Sequence, residues 1–343
     1  MKRKSGLLWF VLLLSMSSCV SYEKFSMEVF KPSDFNLPPD MRKITLVSRN
    51  LKYENDTLQD YQAKNYRLAK NKIRFNADSL AINTLMDTLS AKLQAQTRFD
   101  SIRILPVNTF LEMRVKEIGP GKREWYKDIS EKTGADGLIL LDMFSCFYSQ
   151  FNDHNYSPMA NVVTSNIWSV YDARKQKIID RYVQIDTIYW DGKDENERYS
   201  KLRIPEKKEA IGMAAGVIGQ NYSKHLLPAW TMVYRDIMSG GKPEFKNAAE
   251  LARKNNWDEA SAIWQNFANS KNKRDKTIAL YNLALASEMS GDIERAIQLT
   301  DQAAATSSGA FMGTENEAVR KYSVILYRRK LEINKLDAQH ELR

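Results

Sequence analysis

The chain has 343 residues, of which 43% are hydrophobic, and a formal net charge of +9. This apolar content is enough for buried cores, and the length suggests two domains at about 150 residues each. Two cysteines and three histidines exclude a disulfide-stapled scaffold and a histidine-rich metal site.

The amino-terminal segment has the pattern of a bacterial export signal. A basic head at residues 2–4 precedes the apolar run Leu7–Leu14, and small residues then precede Cys19. The apolar run is too short to span a bilayer, which takes about 20 residues, but it fits the core of a secretory signal. The segment resembles the bacterial lipobox, which implies removal of a signal peptide at 1–18 and palmitate-type acylation of Cys19. Alternatively, it is an ordinary secretory signal and the cysteine is incidental.

Acylation of Cys19 predicts a place in the cell envelope, with the lipid bilayer as the first partner. Several acyl chains hold a protein far more firmly than one, which binds only marginally. We expect an outer-membrane lipoprotein facing the periplasm, because a single acidic residue, Glu23, closely follows the cysteine. An exported chain is not expected to bind nucleic acid. Residues 19–40 contain three prolines and no sustained periodicity, so they are predicted to be a tether.

Strand and helix patterns alternate through residues 41–238. Lys43–Ser48 alternates with a period of two, as in a strand, and apolar residues recur every three or four positions from Ile82 to Leu93, as on one side of a helix. The complete pattern predicts the order β-α-β-α-β-β-β-α-β, with Ala229–Met238 as the last strand. We therefore expect an α+β fold in which helices pack on a mixed sheet.

Two long strands, Val162–Asp172 and Lys177–Trp190, are predicted to be antiparallel neighbours in that sheet. The second of them has one apolar and one polar face. The apolar face holds Ile179, Val183, Ile185 and Tyr189, and the polar face holds Asp180, Gln184 and Asp186. This division is typical of a sheet that helices cover on one side only, so the apolar face is expected beneath the helices and the polar face in water.

The pattern of residues 41–238 resembles the small α/β domain of envelope lipoproteins such as the curli secretion factor CsgG and the amino-terminal domain of TolB. The resemblance is carried by Ile44–Val47 before the first helix, Arg98–Ile102 entering the second strand and Gly134–Ile139 entering the third. It implies an alternative function, an oligomeric secretion or assembly component of the outer membrane. Such a component needs amphipathic hairpins with a lipid-facing side, and Arg181 on the apolar face of its strand disfavours this.

Residues 243–343 are predicted to form an all-α unit of tetratricopeptide-like helical hairpins. Asn282–Ala284, Gly291–Asp292 and Ala296–Ala303 match that repeat, in which small residues let two helices pack closely. A weaker copy lies around Ala260, which is 36 positions before Ala296. Such a unit either offers a concave groove to a partner protein or peptide, or only braces the fold, and the sequence leaves both open.

Four aromatic residues are candidates for contact with a partner, although each also suits a helix core: Trp257, Trp264, Tyr281 and Phe311. Patterns of catalytic, metal or cofactor sites are not found. Gly119–Lys122 lacks the spacing of a phosphate-binding loop, and the acidic segment Asp191–Glu197 lacks the ligand order of an EF-hand. The layout also resembles an uncharacterised lipoprotein family common in Bacteroidetes, which implies an envelope location and no known activity. We expect a non-catalytic, membrane-anchored adaptor without a cofactor.

Overall fold

The computed structural model describes residues 21–49, 75–106, 123–152, 158–191, 204–307 and 313–341. Within these ranges the strands are β1 (Tyr22–Lys31), β2 (Lys43–Ser48), β3 (Ser101–Ile104), β4 (Gly137–Asn152), β5 (Pro158–Asp172), β6 (Lys177–Asp191) and β7 (Ala229–Met238). The helices there are α1 (Phe75–Gln94), α2 (Arg123–Thr133), α3 (Lys207–Leu226), α4 (Pro243–Arg253), α5 (Trp257–Gln265), α6 (Lys273–Met289), α7 (Ile293–Ser307) and α8 (Gly313–Glu341). The predicted α+β class is confirmed, and the predicted order is that of the elements from β2 to β7.

The chain divides into two compact units. The α/β unit lies within Ser33–Pro228, whereas the helical unit combines Tyr22–Pro32 with Ala229–Glu341. The α/β unit contains a five-stranded sheet in the order β3-β2-β4-β5-β6. The pairs β3–β2 and β2–β4 are parallel because a helix separates successive strands, and β4, β5 and β6 follow one another as antiparallel neighbours.

Helices cover both faces of the five-stranded sheet. One core joins α1 and α3 to inward side chains such as Leu46 and Trp168, both fully buried. A smaller core on the opposite face joins α2 to Val47 and Leu140. Helices α1 and α3 also approach each other so closely that a Cβ atom at Gly219 would lie 2.6 Å from the carbonyl oxygen of Leu85. Glycine is therefore needed at that position.

The orientation of β6 is the reverse of the predicted one. Its face with Gln184 is covered, and the side-chain amide of Gln184 accepts from the Trp168 indole at 2.9 Å and donates to the Ile218 carbonyl at 3.2 Å. The other face is open, with Ile185 and Tyr189 exposed at 67% and 62%. The prediction was wrong because the covered face also holds large side chains, Tyr182, Ile188 and Trp190, that pack against the core.

The helical unit contains a two-stranded antiparallel ribbon, formed by β1 and β7. All ten residues of each strand pair, from Tyr22 opposite Met238 to Lys31 opposite Ala229. Two predictions are corrected by this pairing. The segment 19–40 is not a tether throughout, because most of its first half is a strand, and Ala229–Met238 is not a strand of the large sheet.

Candidate functional site: a groove in the helical unit

Helices α6 and α7 form a tightly packed hairpin. Gly291 lies in the turn between them with a φ of +86°, a backbone conformation that residues other than glycine rarely adopt. Alanines on the facing sides are fully buried, among them Ala284, Ala296 and Ala303. The side chain of Asn272 caps the start of α6 by accepting from two backbone N–H groups. Small contact residues hold α6 and α7 close together, and the hairpin lies beside α5.

A groove of about 440 Å³ lies along α5, α6 and α7. Its apolar and small lining residues are Trp257, Leu283, Ala286, Met289 and Leu299. Its polar lining residues are Asn255, Asp258, Ser261, Gln265, Ser287, Ser290 and Arg295. One carboxylate and one guanidinium stand among several uncharged polar groups, so the groove suits a ligand with many hydrogen-bonding groups and little net charge.

Trp257 is the aromatic residue of the groove. It is half-buried and packs against Phe25 of β1, with ring centroids 5.1 Å apart, and against Trp264 at 6.4 Å. These contacts fix one side of the indole while the rest lines the groove. A rigid ring that is partly open to solvent is typical of an anchoring position in a protein interface.

Buried polar contacts attach the ribbon to α6 behind the groove. Arg235 of β7 forms a two-pronged ion pair with Glu288, with N–O distances of 2.6 and 2.9 Å. The hydroxyl of Tyr322 donates to the same carboxylate at 2.8 Å. Burial, followed by the negative charge of Glu288, raises the pKa of Tyr322 well above its ordinary value. This cluster holds β7, α6 and α8 in one arrangement.

The other predicted contact residues lie elsewhere. Trp264 is completely buried and Tyr281 is nearly so, which makes both of them core residues. The hydroxyl of Tyr281 donates to the Asp236 carbonyl at 2.9 Å, and burial raises the pKa of this phenol. Phe311 and Cys19 lie outside the described residues.

Several lining residues were not recognised from the sequence. Ser261 and Gln265 follow Trp257 at intervals of four, and Leu299 follows Arg295 by four. This spacing places each set on one side of its helix. The signal was therefore present, but polar residues at this spacing are common on solvated helix faces, and only the neighbouring helices turn this face into a groove.

Two polar contacts lie largely enclosed among the described residues of the α/β unit. Arg49 donates to Asp142 at 2.7 Å, and Ser169 donates to the same carboxylate at 2.6 Å. His225 lies 2.9 Å from Asp180, and its ring stacks on Tyr182 at 4.0 Å. Both arrangements are enclosed and packed, which is typical of groups that hold elements together.

The described ranges contain neither a metal-binding cluster nor a membrane-spanning helix. No group of three or more histidine, cysteine or acidic side chains in those ranges is placed to hold a metal ion. None of the helices in the same ranges combines the length and the apolar character that crossing a bilayer requires.

Two known families together match most of the chain. Residues 41–237 match the family described as Domain of unknown function (DUF8603). The match covers more than half of the chain, so the chain belongs to this family. Residues 246–332 are similar to a second family, described as Domain of unknown function (DUF6340), which takes in α5, α6 and α7 and hence the groove.

Similarity to other proteins is slight. No protein with a curated description matches the chain. Among solved structures, the hypothetical protein CT253 from Chlamydia trachomatis is similar, with 9% sequence identity over 52% of this chain and 92% of that chain. The TM-score is 0.25, which supports no argument about fold or function.

Proposed function

We propose that the protein is a non-catalytic adaptor of the bacterial envelope, which binds a segment of a partner protein in the groove of its helical unit. The groove itself is the observation that carries this proposal. Its volume of about 440 Å³ falls within the range of about 300–1,000 Å³ that is usual for binding clefts.

An uncharged stretch of polypeptide is the ligand that the groove chemistry favours. The apolar residues Leu283 and Leu299 are buried at the groove and can receive side chains. The exposed amide of Gln265 and the hydroxyls of Ser261 and Ser287 offer hydrogen bonds to a peptide backbone. Because Asp258 is the only carboxylate and Arg295 the only guanidinium among the described lining residues, a highly charged ligand gains little.

The envelope location is part of the same proposal. The lipobox-like sequence before Cys19 supports acylation of that thiol, and acyl chains would hold the adaptor at a bilayer. The tetratricopeptide-like pattern supports the idea that the α6–α7 hairpin and α5 act as a binding array rather than only as a brace.

A pull-down from detergent-solubilised envelope tests the binding proposal. Ser261 lines the groove, whereas its neighbour Ala262 is exposed outside the lining, so Ser261→Trp blocks the groove and Ala262→Trp serves as a matched control. We expect a stoichiometric partner with the wild type and with Ala262→Trp, and loss of that partner with Ser261→Trp. Retention of the same partner by both variants, or repeated empty pull-downs, would refute the proposal.

An oligomeric assembly component is the second candidate, and the open face of β6 favours it. Val183, Ile185 and Tyr189 are exposed there, and β6 ends the sheet, since within the described ranges no strand pairs with its outer edge. Long apolar edge strands are prone to pair with another chain. Antiparallel pairing of two copies about Gln184 would place Lys177 opposite Asp191 of the second copy, which matches opposite charges.

Particle size in detergent tests this second candidate. Light scattering of the purified protein should show an oligomer, and Ile185→Lys should reduce it to a monomer by placing a charge on the open strand face. Met213→Lys changes an exposed apolar residue of α3 and is the control that should not alter the size. A monomeric wild type would remove the assembly candidate and leave the adaptor proposal unaffected.

A further inference from the structure

The ribbon of the helical unit has one open face that is rich in aromatic and apolar side chains. Trp230, Met232 and Tyr234 alternate along β7 and are exposed at 64%, 51% and 69%. The residues between them are half-buried, and Arg235 and Ile237, which follow on the opposite face, are buried. The solvent-exposed face of a surface strand is normally polar, whereas the exposed face of β7 is largely apolar and aromatic.

Residues of β1 extend the same open face. Phe30 pairs with Trp230, and their ring centroids lie 5.3 Å apart. At the other end of the ribbon Tyr22 is also exposed. Between them Lys24 lies opposite Asp236, and Glu28 is exposed on the same face, so this face carries one cation and two anions. The face is therefore aromatic at both ends and slightly acidic along its length.

Helix α8 runs along the outer edge of β1 and continues the open face. Arg329 donates to the Phe30 carbonyl at 2.7 Å, and the hydroxyl of Tyr22 donates to the Thr314 carbonyl at 3.3 Å. Ile325 of α8 lines a shallow groove of about 290 Å³ together with Tyr22 and Tyr234. The helix thus occupies the free edge of the ribbon but leaves its aromatic face uncovered.

The chain length between Cys19 and this face limits how far it can be from a membrane. Tyr22 is three residues after Cys19. Three residues span at most about 10 Å when fully extended. A lipid on Cys19 therefore keeps the Tyr22 end of the ribbon within reach of the headgroup layer, whatever path the connecting residues take.

We infer that the open face of the ribbon lies on the bilayer surface, with Trp230, Met232 and Tyr234 in the headgroup layer. This inference rests on the acylation proposed for Cys19, and it adds an orientation to that anchor. Tryptophan and tyrosine favour the membrane interface because an apolar ring sits beside a polar group. Because anions outnumber cations on this face, aromatic burial, not attraction to anionic lipid, drives the contact.

An orientation follows for the adaptor. Acyl chains alone leave a protein free to rotate about its anchor, whereas a second contact fixes one face on the lipid. The ribbon face on the bilayer would hold the helical unit in one defined pose, so that its groove is presented to partners at a constant angle.

An environment-sensitive dye tests the ribbon contact. Met232→Cys places a reactive thiol on the ribbon face, and Gln298→Cys places one at an exposed position of α7. The native Cys146 is buried, so each variant has a single reactive thiol. Each variant is labelled with NBD in a chain that carries Cys19→Ser and an amino-terminal histidine tag. The tag holds the protein on vesicles of phosphatidylethanolamine and phosphatidylglycerol that contain a nickel-chelating lipid, so the readout does not require acylation.

The expected result is a several-fold rise and blue shift of the dye at position 232 and no change at position 298. Trp230→Ser together with Tyr234→Ser should abolish the rise. No change at position 232, or equal changes at both positions, would overturn the inference. Mass spectrometry of the native amino terminus tests acylation separately, so failure of the anchor and failure of the ribbon contact are distinguishable.

Discussion

The side-chain amide of Asn282 forms a closed pair of hydrogen bonds with the backbone of Met238. It donates to the Met238 carbonyl at 2.8 Å and accepts from the Met238 N–H at 3.0 Å, and both residues are fully buried. Asn282 belongs to the repeat-like pattern of α6, and Met238 is the last residue of β7. A side chain therefore takes the place of a strand at the end of the ribbon and joins it to the helix behind the groove.

Replacing Asn282 with alanine should destabilise the helical unit. The change leaves a buried donor and a buried acceptor of Met238 without partners, and each such group costs about 1–3 kcal/mol. Urea denaturation followed by circular dichroism should show a loss of about 2–4 kcal/mol. Gln302→Ala removes an exposed amide from α7 and should have little effect. Equal midpoints for the two variants would show that the Asn282–Met238 pair is not a structural joint.

The ion pair between Arg235 and Glu288 should be similarly sensitive. Glu288→Gln leaves a buried guanidinium without its counter-charge, which costs about 3–5 kcal/mol in comparable sites. The control is Glu317→Gln, because Glu317 pairs with Lys321 on the exposed surface of α8 and solvent screens that contact. We expect a large drop in the unfolding midpoint for the first variant and almost none for the second.

Alkaline pH should unfold the helical unit through its buried phenols. Burial raises the pKa of Tyr281 and of Tyr322 in the folded chain above the ordinary value near 10. A phenol whose pKa is higher in the folded than in the unfolded chain stabilises the fold. This contribution is fully present below about pH 10 and is lost as pH rises further. Denaturation midpoints should thus be level from neutrality to about pH 9 and fall above pH 10. Tyr322→Phe should make that fall shallower, and an unchanged slope would contradict this explanation.

Two glycines of α3 should respond in opposite directions to alanine. Gly219→Ala places a methyl group 2.6 Å from the Leu85 carbonyl oxygen and should cost about 1–3 kcal/mol by forcing α1 and α3 apart. At Gly212 an added Cβ meets nothing within 4 Å. Gly212→Ala should therefore stabilise the helix by up to about 1 kcal/mol. Thermal unfolding of the two variants, measured side by side, checks both signs.

The order of strands and helices could be predicted because it depends on local patterns of apolar and polar residues. Residues from Ile82 to Leu93 repeat at helical spacing, and Lys43–Ser48 alternates as a strand does, so the elements from β2 to β7 were recognised in order. Strand β1 was missed although Phe25, Met27 and Val29 alternate with polar residues. Its neighbouring prolines, Pro32 among them, favoured an irregular segment instead.

Pairing across the chain could not be predicted from local patterns. Strand β1 pairs with β7, more than 190 residues further along the chain. The covered face of β6 was also mispredicted, because Gln184 accepts a hydrogen bond from Trp168 and donates one to Ile218, and these bonds compensate the burial of a polar side chain. Hydropathy alone does not contain such compensation. The groove escaped detection for a related reason, since its polar lining is defined by three helices together.

Photo-crosslinking in intact cells tests the adaptor proposal most directly. A benzophenone side chain is placed at Arg295, which lines the groove, or at Gln298, which is exposed one turn further along α7 and outside the lining. We expect irradiation to join a discrete partner to position 295 and not to position 298. Crosslinking of the same partner at equal yield from both positions, or the absence of any product from position 295, would contradict the account.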